Sequence, residues 1–380
     1  MLSHLKLRNF RNYRNAELTL PRGWTLLLGA NGQGKSNLLE AVWYLAILRS
    51  FRTRLIDTLC HWEADTFTLR GTVETPTPQG STAAVDLCVT HGQQRSLLVN
   101  GRSVTKASEF IHQFPCQALV PEDLLLIKGT ARDRRRFLDI LLSQLDPLYV
   151  EHLQKWALAL KSRNAILRDP DKYGAALQAY DAAIARHGAC VTTRRRSCVE
   201  QLAACLSTTA PQILSGTEPL SLRFVSGLGR PEPAAMTEDA AETALRDLLA
   251  KGYAKDRAEG HTRWGPHRDE VAISRGRRPL GEFGSEGEVR IACLALRLAS
   301  LELIRQRSAP NGGIVVLVDD VVGELDPDRR RTFFQMIAPG DQVILAATTP
   351  FPELQDRLAA TYSVAGGVLR PLRESSATKP

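Results

Sequence analysis

Three short stretches hold the residue types and spacings most able to do chemistry: "GANGQGKS" from Gly29 to Ser36, "IVVLVDD" ending at Asp319 and Asp320, and "GSEGEVR" at 284–290. The first fits G-x-x-x-x-G-K-[ST], a phosphate loop if a strand precedes it and a helix follows. Gly29, Gly32 and Gly34 let the backbone curl until its N–H groups face one anion, and the helix N-terminus adds partial positive charge. Lys35 would bring an ammonium between the β and γ phosphates, and the Ser36 hydroxyl would be a magnesium ligand. Two adjacent carboxylates closing a core strand repel one another unless a cation intervenes. Asp319 is therefore expected in the magnesium shell, with Asp320 as the general base that positions the attacking water. In the third stretch Ser285 offers a hydroxyl and Gly287 an unobstructed N–H at a helix N-terminus, which suits an anion, while Glu286 and Glu288 oppose one. Ser285 also reads as an N-cap with Glu288 as its capping acid.

These stretches need elements to hold them. Residues 1–30 read as two strands, the second being Trp24 to Leu28, and Leu38, Leu39, Val42, Leu45 and Ala46 recur at helical spacing after Lys35. Short strands follow between about 66 and 105, with "TPTPQGS" as a loop and Asn100-Gly101 as a hairpin turn, which suggests an antiparallel layer. From 134 to about 207 the pattern is helical. Two stretches separated by "DPDKYG" resemble an antiparallel hairpin whose longer arm reaches about 45 Å at 1.5 Å per residue. Strands are expected at 269–275, 314–318 and 342–347, with helices after 285 and near 329–337; the segment 207–245 carries little signal. The elements give an α/β chain with an antiparallel β layer and a helical stretch in its middle; a resemblance to ABC-type ATPases implies an ATPase head with a mixed sheet, into which a mainly helical lobe is inserted. Residues 1–120 and 263–370 would form the head, 121–262 the lobe, and 371–380 a disordered tail.

The 380 residues carry 49 Lys and Arg against 41 Asp and Glu, so a net charge of +8 and a pI near 9.2 favour a phosphate-rich partner. Seven scattered cysteines form no C-x-x-C pair, which fits reduced thiols and a cytoplasmic protein; Cys190, Cys198 and Cys205 on one helical face read as small apolar fillers. No apolar run approaches the roughly 20 residues needed to cross a bilayer, so no membrane partner is expected. Arg132, Arg134, Arg135 and Arg136 form one basic cluster, Arg194, Arg195 and Arg196 a second, and Arg275, Arg277 and Arg278 a third. Any one alone is more often a solvated face; together they are candidate contacts to a DNA backbone, giving salt-dependent, sequence-independent binding.

A serine-glycine loop opening a helix, upstream of a strand ending in acids and of "ELD", resembles the signature motif of ABC-type ATPases. The blocks "LRNFRNY" (7–13), "GANGQGKSNLLEA" (29–41), "SFR" (50–52), "PEDLLLIKG" (121–129), "RRRFLD" (134–139), "GPHRD" (265–269), "GSEGEVR" and "DDVVGELD" (319–326) together resemble the RecF family of SMC-like ATPases. That resemblance implies ATP and Mg²⁺ as cofactors, ATP-dependent homodimerisation, weak ATPase activity, and binding of single-stranded or gapped DNA. It implies RecR as a partner in loading RecA on strands coated by single-strand binding protein, RecO indirectly, and a role in the SOS response. By the same resemblance the nucleotide is held by Gly29, Ala30, Asn31, Gly32, Gln33, Gly34, Lys35, Ser36 and Asn37; Asn9, Arg11 and Asn12 would line the nucleotide or the DNA face, or form a solvated β-edge. Ser285, Gly287 and the D-loop acid Asp326 would touch the nucleotide of a second subunit, and Thr348 or Thr349 would stand at the switch position.

Three positions depart from the pattern: Gly323 where Ser usually precedes "ELD", Val289 where Gln is common, and Asp320 where transporters carry Glu. The shorter acid implies slow turnover, of the order of minutes per ATP. His267 in "GPHRD" is either functional or a hydrogen-bonded turn residue. Two other functions compete: a transporter's ATPase subunit, and a DNA clamp for which ATP is only a structural ligand. A long-armed SMC protein fails on length.

Overall fold

The computed structural model describes residues 1–76, 81–169, 176–214, 216, 218–229, 237–308, 313–337 and 340–374; most of "DPDKYG", the centre of "TPTPQGS" and the last six residues lie outside them. The chain divides into two compact units, Met1–Asp123 with Ser300–Pro380, and Leu124–Ala299. The serine-glycine loop lies in the second unit.

Fifteen strands are present among the described residues. In the first unit β1 (Leu2–Phe10), β2 (Tyr13–Thr19), β4 (Phe67–Pro76), β5 (Thr82–His91), β6 (Ser96–Val99) and β7 (Arg102–Ser103) form an antiparallel sheet of order β2-β1-β4-β5-β6-β7. A mixed sheet of order β15-β14-β3-β13-β12-β8 takes β3 (Trp24–Leu28), β8 (Cys116–Leu119), β12 (Val315–Asp319), β13 (Gln342–Ala347), β14 (Leu358–Ala365) and β15 (Val368–Glu374). Its strands are parallel apart from the antiparallel pair β14/β15. Strand β15 takes residues expected in the tail; the alternation of buried Ala360, Tyr362 and Val364 in β14 was a legible signal for the hairpin.

Helix α1 (Lys35–Ile47) fills the space between the two sheets. Leu38 through Ile47 are all buried, Glu40 included, so the helix has no solvated face, as a core helix requires. Tyr44 meets Phe67 of the antiparallel sheet edge-on at 5.5 Å, and Phe67 meets Phe10 at 5.2 Å. Gln342, fully buried at the start of β13, clips the sheets together: its amide donates to the Leu2 carbonyl at 2.7 Å and accepts from the Leu2 N–H at 2.8 Å. A buried amide leaves that exchange only at the cost of an unmade hydrogen bond.

The second unit holds α3 (Leu125–Lys128), α4 (Ala131–Leu145), α5 (Pro147–Arg168), α6 (Leu177–Ile213) and α7 (Glu238–Glu259), following α2 (Ala107–Ile111) of the first. A three-stranded sheet of order β11-β10-β9 joins them, from β9 (Leu220–Val225), β10 (Glu270–Arg275) and β11 (Arg278–Pro279). The expected hairpin is α5 against α6, and α7 lies along it: Trp156, Ile184, Ala185, Leu245 and Leu249 share one core. Cys190, Cys198 and Cys205 are free thiols buried along α6. Arg163, with no exposure, pairs with Asp256 at 2.8 Å and Asp181 at 2.5 Å, and also reaches Thr262. Among the described residues no helix is long and apolar enough to cross a membrane.

His267 is a turn residue of this core. Its ring lies over Trp156 at 6.0 Å, nearly parallel, and Nε2 stands 2.8 Å from the Thr262 carbonyl. Burial pushes its imidazolium down from 6.5 to about 4, with the Thr262 carbonyl opposing and Arg268 adding to the fall. The unfolded chain takes up that proton near pH 6.5 and the folded chain only near 4, so stability is complete above this window and declines as pH falls through it. In His267→Gln that decline should vanish, measured as urea midpoints at about pH 7 and about pH 4.5. An unaltered slope would place the proton uptake on another group.

Candidate nucleotide site

Parallel strands align their C-terminal ends, so β3, β12 and β8 all deliver their following residues to one edge of the mixed sheet, where open α/β sheets bind ligands. The loop Gly29–Gly34 leaves β3 and runs straight into α1, as the motif requires. Gly34 precedes the helix at φ 114°, a conformation that L side chains rarely adopt, and Gly32 has φ 80°. A Cβ on Gly29 would lie 2.3 Å from the Val364 carbonyl oxygen. A Cβ on Gly29 or Gly34 would collide with the residues that back the loop, whereas one on Gly32 would meet nothing within 4 Å.

Lys35 is 6 % exposed, and its ammonium points back into the loop, donating to the Gly29 and Ala30 carbonyls at 2.7 and 3.0 Å. Ala30, Asn31 and Gly32 form the exposed tip. Ser36 donates to Asp319 Oδ1 at 2.9 Å, although 283 residues separate the two in sequence. Burial raises the Asp319 carboxyl above its ordinary range, the Ser36 hydroxyl and Arg52 pull it back, and neighbouring Asp320 raises it further. Asp320 is exposed and sits at φ 54°, left-handed backbone for a non-glycine residue. Such strain persists where the surroundings fix it, and it concentrates at functional sites. The donor set fits a magnesium-bound triphosphate: a hydroxyl and a carboxylate for the ion, an ammonium and a curled backbone for phosphate.

Arg11 and Asn12 are placed differently from the expectation. Arg11 spends its guanidinium on buried Glu40 of α1, with bonds of 2.8 and 2.9 Å, and on the Thr58 carbonyl; Ser50 closes on the same carboxylate. Its role in the fold is to neutralise a buried acid. Asn12 braces the loop from behind, donating to the Gln33 carbonyl at 3.1 Å and accepting from Asn37 at 2.8 Å. The sequence reading missed three further braces. Tyr13 donates to the Gly34 carbonyl at 2.9 Å, and the Gly366 and Gly367 N–H groups bond Gln33 at 2.8 and 3.1 Å. "GG" after an alternating strand is a turn signal, but its docking on a loop over 300 residues earlier has no local trace. Thr348 and Thr349 are exposed just after β13.

The serine-glycine loop opens α9 (Glu286–Ser308) after the short helix α8 (Leu280–Phe283). Ser285 and Gly287 are exposed, and nothing lies within 4 Å of a Cβ built on Gly287. Ser285 and Glu288 form the expected capping box: the Ser285 N–H donates to Glu288 at 3.0 Å, and Ser285 Oγ accepts from the Glu288 N–H at 3.3 Å. Both acids are also paired, Glu288 with Arg275 at 3.1 Å and Glu286 with Arg290 at 2.7 Å. The expected repulsion of anions is thereby offset. Val289 is buried, a core residue of α9. Asp326 N-caps α10 (Pro327–Met336), accepting from the Arg329 N–H at 3.0 Å.

The basic clusters require a correction. Arg134 holds Glu270 through two bonds of 2.6 and 2.7 Å, Arg135 donates to the Asp269 carbonyl at 2.7 Å, and Arg195, 2 % exposed, bridges Asp139 and Asp269 at 2.8 and 2.9 Å. Arg194 pairs with Asp146 and Glu238, and Arg196 is half-buried. Arg195 belongs to the interior of the helical unit, while Arg134 and Arg135 are half-buried with their guanidiniums held by Glu270 and the Asp269 carbonyl. Three consecutive arginines on a helix point in three directions, one of them inward, and runs of charge conceal this.

The family model described as RecF/RecN/SMC N terminal domain matches residues 1–369. The chain belongs to the RecF family. It is 33% identical over 362 residues to the DNA replication and repair protein RecF of Acidothermus cellulolyticus, covering 93% of this chain and 95% of that one. The RecF of Natranaerobius thermophilus is 30% identical over 354 residues, with 92% and 91% covered. Among solved structures, the recombination mediator protein RecF with ATP superposes at a TM-score of 0.87 with 26% identity, covering 98% of this chain and 97% of that one. The SMC head bound to a winged-helix domain of ScpA, 15% identical with a TM-score of 0.52, shares the fold. The ABC-type architecture expected from the RecF blocks is the one observed.

Gly29→Ala should lower affinity for a fluorescent ATP analogue at least tenfold, about 1.4 kcal/mol, because its Cβ collides with fixed backbone. Near-normal affinity would show that the loop does not contact phosphate in this form.

Proposed function

We propose that this chain is an ATP-dependent DNA-binding protein of recombinational repair and replication restart. It binds single-stranded or gapped DNA as an ATP-bridged homodimer in the cytoplasm and, with RecR and indirectly RecO, promotes RecA loading and SOS induction. The observation that carries the reading is the Ser36–Asp319 hydrogen bond beneath a glycine cradle, in a chain that matches RecF proteins along nearly its whole length.

Each residue then has a task. Magnesium, when bound, supplies charge neutralisation between the β and γ phosphates. Ser36 and Asp319 hold it, the N–H groups of Gly29 to Asn37 and the Lys35 ammonium hold the phosphates, and Asp320 orients water. Ser285 and Gly287 of a second copy supply a hydroxyl and an N–H to the terminal phosphate, with Asp326 nearby; the pairing of Glu286 and Glu288 leaves that loop open to an anion. The split arrangement makes triphosphate the joint between copies and hydrolysis the release, and the short Asp320 makes release slow.

Sedimentation with and without ATP and gapped DNA tests this. Wild type should dimerise only with ATP, whereas Ser285→Arg should bind ATP and remain monomeric. A Ser285→Arg chain that pairs as well as wild type would overturn the split site. Hydrolysis should take minutes per ATP; many turnovers per second without DNA would refute the role given to Asp320.

For the DNA, the antiparallel sheet offers cations that the interior arginines cannot. Lys6 and Arg8 of β1 and Arg70 of β4 are exposed; Lys6 stands directly opposite Arg70 and is itself paired with Glu17 at 2.9 Å. Their joint replacement by Ala should weaken DNA binding and reduce its salt slope by about one per lost phosphate contact. Arg195→Ala should instead lower thermal stability. An unchanged salt slope in the triple variant would remove this face from the footprint.

A further inference from the structure

Most cations around the serine-glycine loop are paired with acids. Arg275 holds Glu288 at 3.1 Å, Arg290 holds Glu286 at 2.7 Å, and Arg278, whose charge also reaches Glu288, holds Glu218 at 3.0 Å. Lys128, the last residue of α3, differs. Its exposed ammonium donates to the Gly281 and Gly284 carbonyls at 3.2 and 3.3 Å, and among the described residues it pairs with no carboxylate, the exposed Glu282 of α8 included. The elements explain how it gets there. Helix α3 lies against α8, and a lysine side chain can satisfy carbonyls that a short helix leaves open at its end.

Covalent geometry carries this charge to the loop. The Ser285 N–H follows the Gly284 carbonyl across one peptide bond, so the ammonium lies within about 6 Å of the Ser285 nitrogen. Holding two neutral carbonyls needs donors and no charge. A whole positive charge is therefore left beside Ser285 and Gly287, on a loop whose own acids, Glu286 and Glu288, are already matched. A hydroxyl and an N–H offer an anion hydrogen bonds alone. A fixed ammonium adds charge, and hydrogen bonds from an ionised donor are roughly twice as strong as neutral ones.

We propose that Lys128 supplies the positive charge of the split site: carried on the same chain as Ser285 and Gly287, its ammonium meets the terminal phosphate of the nucleotide held by a second copy. The inference rests on the split site proposed above and deepens it. It makes the charge of that phosphate part of what joins the copies, so a diphosphate, which lacks the group that Lys128 answers, joins them poorly.

Sedimentation with ATP over a range of salt concentrations tests it. Lys128→Gln keeps an N–H donor for the two carbonyls and removes the charge; it should weaken ATP-dependent pairing about tenfold at each site, the contribution of a charged hydrogen bond, and flatten the salt dependence of pairing. Lys128→Arg should restore both. Pairing by Lys128→Gln as tight as wild type overturns the assignment, and a loss with an unchanged salt dependence reduces Lys128 to a brace and overturns it too. ATP binding by dilute monomers is followed alongside, and a matching loss there would place the ammonium in its own chain's pocket. A mixture decides between the two copies. Lys128→Gln keeps a sound pocket and Lys35→Ala a sound loop, so one complete site forms between them, and the mixture should pair at concentrations where neither variant pairs alone. A mixture that stays monomeric overturns the role across copies. Wild type that fails to pair with ATP sinks the split site itself, a result read before any variant is made.

Discussion

Helix α1 buried on every side between two sheets is the constraint from which the rest of the first unit follows. A helix with no solvated face is stable only where both neighbours cover it, and Tyr44, Phe67 and Phe10 on one side and the mixed sheet on the other do so. Fixing α1 fixes its N-terminus, and with it the loop that leaves β3. The partial positive charge of that N-terminus is then aimed at the edge where β12 presents Asp319. Even the buried Glu40, a liability in such a helix, is neutralised by Arg11 and Ser50, residues outside α1. Phosphate chemistry at this edge is a consequence of core packing.

The second unit spends charge in a different manner. Arg134, Arg135, Arg163 and Arg195 are taken up by Glu270, the Asp269 carbonyl, Asp256 and Asp139, so a basic sequence becomes a set of interior ties. Where both members are buried, as in Arg163–Asp256, replacing one leaves the other unmatched, which costs about 3–5 kcal/mol. The arrangement sets strand β10 against α4 and its neighbour β9 against α6, and β10 in turn supplies Arg275 to Glu288. A chain of ion pairs thus ends at the serine-glycine loop and decides its charge. The loop presents a hydroxyl and a bare N–H with its acids already satisfied.

The net charge of +8 accordingly says less about surface than it first suggests. Cations are counted alike in sequence whether they face a buried aspartate or water. Of the arginines that look densest along the chain, Arg195 is interior and Arg134, Arg135 and Arg194 are half-buried in ion pairs or hydrogen bonds, while Lys6 and Arg70, far apart in sequence, are brought level by strand register. Three-in-a-row is a poor guide to a binding face on a helix, because each step turns the side chain by about 100°.

The sequence by itself determined the phosphate loop, the aspartate pair at the end of an apolar strand, the capped serine-glycine turn and the order of most strands and helices. Each is local, written in spacing or in glycine placement, and the resemblance to RecF carried the architecture. Tertiary packing alone brings Asp319 to Ser36, sets Tyr13 and the Gly366-Gly367 turn against the loop, and gives Arg11 to Glu40. Those partners are 21 to over 300 residues apart and are joined by parallel strand alignment and burial, which no sequence period encodes. Whether a charge is spent inside or offered outside is likewise a property of packing, since the same guanidinium serves both ends and only its neighbours distinguish them.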